Sequence, residues 1–227
     1  MNGKLGFVHS KGASIDKNGQ YTRKIFDLLG VKYILHSVGD GRNIWAFPHW
    51  KYPDEFNLVY EDKKYQIFEN KKRLPRAFLV YHYEVANKDQ EIIDKLFSSE
   101  FEIAKSVVLE EKITLQLQES KTASGTATVT RYTPDEIEVK VQQDQDGILF
   151  LSDNFYPGWK VFVDGKEGKI YRANYSFRAA SVPKGNHKVI FSYQPSIFRI
   201  GLTASIISLF SLFGLNIIDL LKRKKKL

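Results

Sequence analysis

Chemistry in a chain of 227 residues must come from clustered reactive side chains, and here they are thinly spread. The five histidines (His9, His36, His49, His82 and His187) contain no pair two to four residues apart, so metal ligation has no support from spacing. There is no cysteine, which excludes thiol catalysis, disulfides and thiolate-ligated zinc or iron–sulfur centres. Acidic pairs such as Glu110-Glu111 and Asp135-Glu136 could serve glycoside hydrolysis only at the right separation in space. No phosphate loop, dinucleotide fingerprint or nucleophile elbow occurs. The sequence therefore points to no catalytic residue, metal ligand or cofactor.

Two clusters suit binding better. Tyr171, Arg172, Asn174 and Tyr175 mix aromatic faces with hydrogen-bonding groups, as a carbohydrate or a lipid phosphate requires. The same residues would equally serve as a loop pinning one layer to its neighbour. Tyr156 precedes Pro157-Gly158-Trp159. Trp159 shares a strand face with Val161 and Val163, so it is either core or a platform for stacking a sugar. Lys71-Lys72-Arg73 with Arg76 reads as a solvated basic loop, and the sequon Asn174-Tyr175-Ser176 carries no weight by itself.

These residues need elements to hold them, and the apolar periodicity supplies two kinds. Over residues 1–113 helical and strand signals alternate. A helix from Asp16 to Leu29 stops at Gly30, Val31 to Leu35 is a short strand, and Gly39-Asp40-Gly41 is a turn. Phe56–Tyr60 and Tyr65–Phe68 form a hairpin; Ala77–Tyr83 and Ser106–Leu109 are strands, with a helix at Asp89–Phe97 between them. Residues 114–195 are all-β, with strands near Val129, 137–141, 148–151, 159–163, 177–181 and 187–193. Asp164-Gly165 and Pro183–Asn186 are the turn signals. The expected fold is an α+β unit, then a small β-sandwich, then one apolar helix.

That helix gives the strongest signal. Ile200 to Ile218 is 19 residues without a charge, eleven of them Ile, Leu or Phe. As a helix it is about 28 Å long, close to a hydrocarbon core. Its apolar side chains favour insertion by roughly 3 to 7 kcal/mol. A buried core helix is the competing explanation, but Lys222, Arg223, Lys224, Lys225 and Lys226 follow directly, and Arg199 flanks the other end. Removing those five cations from the net charge of +8 leaves +3, too little to suggest a nucleic-acid partner. The expected span is 199–221, with 222–227 as a basic cytoplasmic tail and 1–198 outside the cytoplasm. Gly201, Ala204, Ser208 and Ser211 line one face and would admit further helices of the same protein. Since MNGKLGFVHS is no export signal, the expectation is a longer polytopic parent or a tail-anchored protein.

Several of these stretches together resemble the C-terminal region of YfhO-like bacterial membrane proteins. They are Tyr156-Pro157-Gly158-Trp159, Val163-Asp164-Gly165, Tyr171-Arg172-Ala173-Asn174-Tyr175, Val182-Pro183-Lys184-Gly185-Asn186-His187 and Phe198-Arg199-Ile200-Gly201. Leu28 to Leu35 and Leu74-Pro75-Arg76-Ala77-Phe78 agree with the same family. The resemblance implies polytopic, GT-C-type glycosyltransferases that use polyprenyl-phosphate sugars on cell-envelope polymers. It implies that this chain is a non-catalytic extracytoplasmic part with a bracing or acceptor-binding role, the catalytic acids lying elsewhere. Its partners would be the bilayer, companion helices and envelope polysaccharide. The alternative is a stand-alone single-pass protein whose sandwich binds a glycan or a protein.

Overall fold

A computed structural model of the chain describes residues 20–38, 49–117 and 123–224, with side chains omitted at 20, 50, 199 and 215–224. The turn expected at Gly39–Gly41, the first turn of the helix expected from Asp16, and Lys225 and Lys226 lie outside the described residues.

Helix α1 (Gln20–Leu28) closes at Gly30, whose φ of 66° suits a helix C-terminus. A three-stranded antiparallel sheet follows, ordered β1 (Tyr33–Ser37), β3 (Tyr65–Asn70), β2 (Phe56–Glu61). The β2–β3 turn is held by Asp62, whose Oδ1 accepts from the Lys64 and Tyr65 amides at 2.7 Å each. Asn70 at the far end of β3 donates to buried Asp27 of α1 at 2.8 Å, tying helix to sheet; burial raises the Asp27 pKa against that bond.

The remaining strands form two further sheets. The first has the order β4 (Ala77–Val80), β9 (Gly147–Asn154), β13 (Phe177–Val182), β12 (Ile170–Ala173), β6 (Ser106–Leu109), β5 (His82–Val85). Its two edge strands, β4 and β5, are separated in sequence by Tyr81 alone. Flat, the sheet would hold those edges about 24 Å apart, whereas two residues reach about 7 Å. The sheet is therefore rolled until the segment 77–85 joins both edges. Helix α2 (Asp89–Leu96) makes the crossover between β5 and β6, the one parallel pair in this sheet.

The second sheet has the order β11 (Lys166–Gly168), β10 (Trp159–Val163), β14 (Gly185–Tyr193), β8 (Glu136–Gln143), β7 (Gly125–Tyr132). It covers one face of the rolled sheet: Ala77, Leu149, Leu151, Ala180 and Val182 meet Ile137, Val139, Val161, Val189 and Phe191. The opposite face, with Val80, Val107, Ile148, Phe150 and Ala179, packs on Ile92, Ile93 and Leu96 of α2 and Leu28 of α1. β9 thus lies between two cores. Its unbroken apolar run Ile148-Leu149-Phe150-Leu151 is fully buried, as a strand with a core on each face requires. Lys24 locks α1 onto the end of α2, its Nζ donating to the carbonyls of Leu96, Ser98 and Phe101 at 3.2, 2.6 and 2.9 Å. Leu96 is the last residue of α2, where carbonyls lack helical donors, and Ser98 and Phe101 lie in the segment that follows.

The α+β portion, the β-sandwich and the C-terminal helix are all present as expected. The boundary expected between residues 113 and 114 needs correcting in one respect: β4, β5 and β6 from the first part share a sheet with β9, β12 and β13 from the second. It divides the sequence, and hydrogen bonding joins what it divides. Two local readings also change. The strand expected over Ala77–Tyr83 breaks at Tyr81, and Tyr171 and Arg172, read as part of a binding or pinning loop, lie in strand β12 (Ile170–Ala173). Asp164 and Gly165 have φ of 51° and 80°, the primed turn expected for a two-residue hairpin.

Helix α3 (Ser196–Lys224) leaves two residues after β14. None of its stretch Ser196–Gly214 is buried. Because both halves share one sheet, denaturation of the full chain in detergent should give coincident fluorescence and circular-dichroism transitions for the β body. Phe150→Ala should shift both by about 3–5 kcal/mol. Two separated transitions would show that the halves fold independently.

Candidate functional site at the helix-proximal end

The end of the sandwich nearest α3 is built from three loops. Gln194, two residues before the first residue of the helix, donates its backbone N–H to the Gly158 carbonyl at 2.6 Å. Gly158 has φ of 100°, and a Cβ there would lie 3.0 Å from the Tyr193 ring and 3.3 Å from Pro195 Cα. Only glycine lets loop 155–158 pass this close to the helix entry. Phe155 donates to the Ser176 carbonyl at 2.6 Å, joining the β12–β13 loop, and Tyr193 donates to the Asp135 carbonyl at 2.7 Å, joining the β7–β8 turn. All six residues singled out as binding candidates lie on or beside two of these loops.

Their environments differ. Tyr171 is 1% exposed, and its hydroxyl accepts the Thr114 amide at 3.3 Å. Asn174, 2% exposed with φ of 44°, exchanges bonds with β6: its backbone N–H donates to the Val108 carbonyl and its side-chain Oδ1 accepts the Val108 backbone N–H, both at 2.8 Å. These two side chains are structural pins. Arg172 and Tyr175 are half-buried; the guanidinium lies 5.4 Å from the Tyr175 ring and pairs with Glu110 at 3.1 Å. Trp159 is half-buried, and Tyr156 is 61% exposed. The membrane-flank residues Arg199, Lys222, Arg223 and Lys224 have helical backbone within α3.

Trp159 sits over a group that sequence reading passed by. The guanidinium of Arg178, 2% exposed, lies 3.9 Å from the Trp159 ring and 5.6 Å from Phe191. Its Nη2 meets Asp153 Oδ2 at 3.2 Å, while Nε and Nη1 are buried with no hydrogen-bond partner. Asp153 Oδ1 also accepts from Arg76 at 2.7 Å and from the Tyr132 hydroxyl at 3.2 Å, and Arg76 lies 4.7 Å over the Tyr132 ring. Burial pulls the Arg178 pKa down, and the Asp153 charge opposes that shift in part. Burial, then the Asp153 charge, raises that of Tyr132. Two guanidiniums thus share one carboxylate. Arg178 follows the inward side of β13 with Ala180 and Val182, and Asp153 that of β9 with Leu149 and Leu151. A cation and an anion, each continuing an inward apolar face, are the signal for this pair.

This arrangement can hold and orient; it has no paired nucleophile and base. Glu110, Glu111 and Glu136, weighed as possible acids, pair with Arg172, Lys169 and Arg131. His36 and His49 come within 5.3 Å between ring centres, packed beside Phe68, but no group of three His, Asp or Glu suited to a metal occurs among the described residues.

Residues 98–205 match the family described as bacterial membrane protein YfhO. That match runs from the approach to β6 through β14 into α3, and leaves out the edge strands β4 and β5. The chain carries a YfhO-like membrane-protein region. A relative from Bacillus subtilis (strain 168), itself named only as uncharacterized protein YfhO, is 31% identical over 65 residues, which is 29% of this chain and 8% of that relative. No solved structure matches. The YfhO-like region contains the three loops, the Arg178–Asp153 pair and the helix entry; Arg76 is contributed from outside it. The family and the uncovered apolar helix agree on a membrane location.

Asp153→Ala would strand Arg178 in the core without its carboxylate and should cost about 3–5 kcal/mol. The double variant Arg178→Met/Asp153→Leu should recover most of that loss, as read from urea midpoints of the full chain in detergent. Equal losses in single and double variants would show that shape, not charge pairing, governs the site.

Proposed function

We propose that this chain is an extracytoplasmic body and adjoining transmembrane helix of a YfhO-like membrane protein, and that the body braces the membrane-embedded part. The observation that carries this reading is the junction. Helix α3 emerges two residues after the last strand, bare of protein cover along Ser196–Gly214, and the loop before Trp159 is bonded directly to its entry. A rigid sandwich so attached transmits orientation to the helix. Bracing is favoured over acceptor binding because Tyr171 and Asn174 are spent on internal contacts and Trp159 covers Arg178. The basic residues after Leu221 favour the cytoplasm by the positive-inside rule, which puts the sandwich on the far side. By the resemblance, the whole protein transfers sugars from a polyprenyl-phosphate carrier to an envelope polymer, using acids beyond this chain.

A chain without cysteine makes the topology directly measurable. In intact spheroplasts, Lys184→Cys should react with a membrane-impermeant maleimide and Lys224→Cys should react only after lysis. The reverse pattern would overturn the orientation, and labelling of both without lysis would overturn the span.

A further inference from the structure

The helix-proximal end keeps large aromatic side chains in the open. Tyr156 is 61% exposed, Tyr132 52% and Phe155 38%, while Ile197 and Phe198 at the start of α3 are 81% and 66% exposed. Elsewhere the two sandwich sheets keep their aromatics buried or half-buried, as with Phe150, Phe191 and Phe162, while the separate three-stranded sheet exposes Tyr33, Tyr60 and Tyr65. Exposed aromatics collected at one end of a domain mark a surface with a partner.

Geometry selects the partner. The Gly158–Gln194 bond and the close approach of Gly158 to Pro195 hold loop 155–158 within one turn of the helix entry. The bond from Tyr193 to Asp135 does the same for the turn beside Tyr132. A bilayer carries roughly 5–8 Å of headgroup layer on each side of its hydrocarbon, and both loops must lie in that layer when α3 crosses. Tyrosine, with an apolar ring and a polar tip, is suited to that depth. Charge agrees as well. Arg76, about half exposed, shares the carboxylate of Asp153 with Arg178 and lies over Tyr132, where it can reach lipid phosphate, while exposed Asp135 on the same turn is the carboxylate nearest that layer.

We infer that Phe155, Tyr156, Tyr132 and Arg76 form a lipid-facing seat that rests the sandwich in an anionic headgroup layer and sets its tilt. Trp159 on Arg178, with Tyr193 beside it at 5.4 Å, stiffens the seat from behind. The opposite end, at Gly185, lies about 27 Å away along β14 and stays in water. This inference rests on the reading of α3 as a span, and its test separates the two.

Nitroxides would be placed singly on the full chain at Tyr156→Cys, Pro134→Cys, Lys184→Cys and Phe210→Cys, in vesicles of phosphatidylcholine with phosphatidylglycerol. Compared with Lys184→Cys, the labels at 156 and 134 should collide several-fold less with a water-soluble nickel chelate and more with oxygen. The label at 210 should be the most oxygen-exposed. If 210 is deep while 156 and 134 behave like 184, the seat is wrong and the span stands. If 210 also behaves like 184, both fall. Shielding of 156 and 134 from nickel and oxygen alike would mean protein covers them, which also overturns the seat. Pro134 is exposed on its turn, so it reports the same layer should substitution at Tyr156 disturb its loop.

Discussion

An apolar helix that the protein does not cover is the constraint from which the rest follows. Ten large apolar side chains between Ile197 and Phe213 are each at least 45% exposed. Leaving them in water would cost on the order of 10 kcal/mol, comparable with the whole stability of a domain. No stripe of polar residues offers a second face, so docking along one side of a soluble partner would leave the other sides unsolved. Lipid solves all sides at once. The serines that interrupt the run cost little, since Ser205, Ser208 and Ser211 each bond a carbonyl one turn back at 2.9 Å.

In the proposed bracing role the body must resist the leverage of a helix held in lipid, and its construction suits that. Segment 77–85 closes the rolled sheet, the second sheet covers one face, and both helices of the first half cover the other. β14, the strand that leads into α3, is central in its sheet, paired to β8 and β10. The Arg178–Asp153 pair stands at the same end. Its desolvation makes it a doubtful source of stability, yet it draws Trp159, Tyr132 and Arg76 onto one buried point. That is a way of fixing the geometry of the end proposed to meet the membrane.

Local physics made much of this readable from the sequence. The β2–β3 hairpin, the Asp164-Gly165 turn, the buried β9 run and the apolar helix each carry a signature within a few residues. What escaped was long-range. Nothing near Tyr81 announces that one strand serves both edges of a sheet, because the partners Ile148 and Ser106 lie far along the chain. Tyr171 and Asn174 have the composition of a binding loop; only the pairing of Asn174 with Val108 turns them inward. Arg178 and Asp153 were visible as misfits on inward faces, but their meeting depends on the register of β13 against β9, with its irregularity at Phe177/Arg178.

The central claim is that α3 lives in lipid, and alkaline carbonate extraction of membranes from cells expressing the full chain addresses it most directly. The account predicts that the chain stays in the membrane pellet while peripheral proteins are released. Recovery of the intact chain in the supernatant as a monodisperse, folded protein would contradict it.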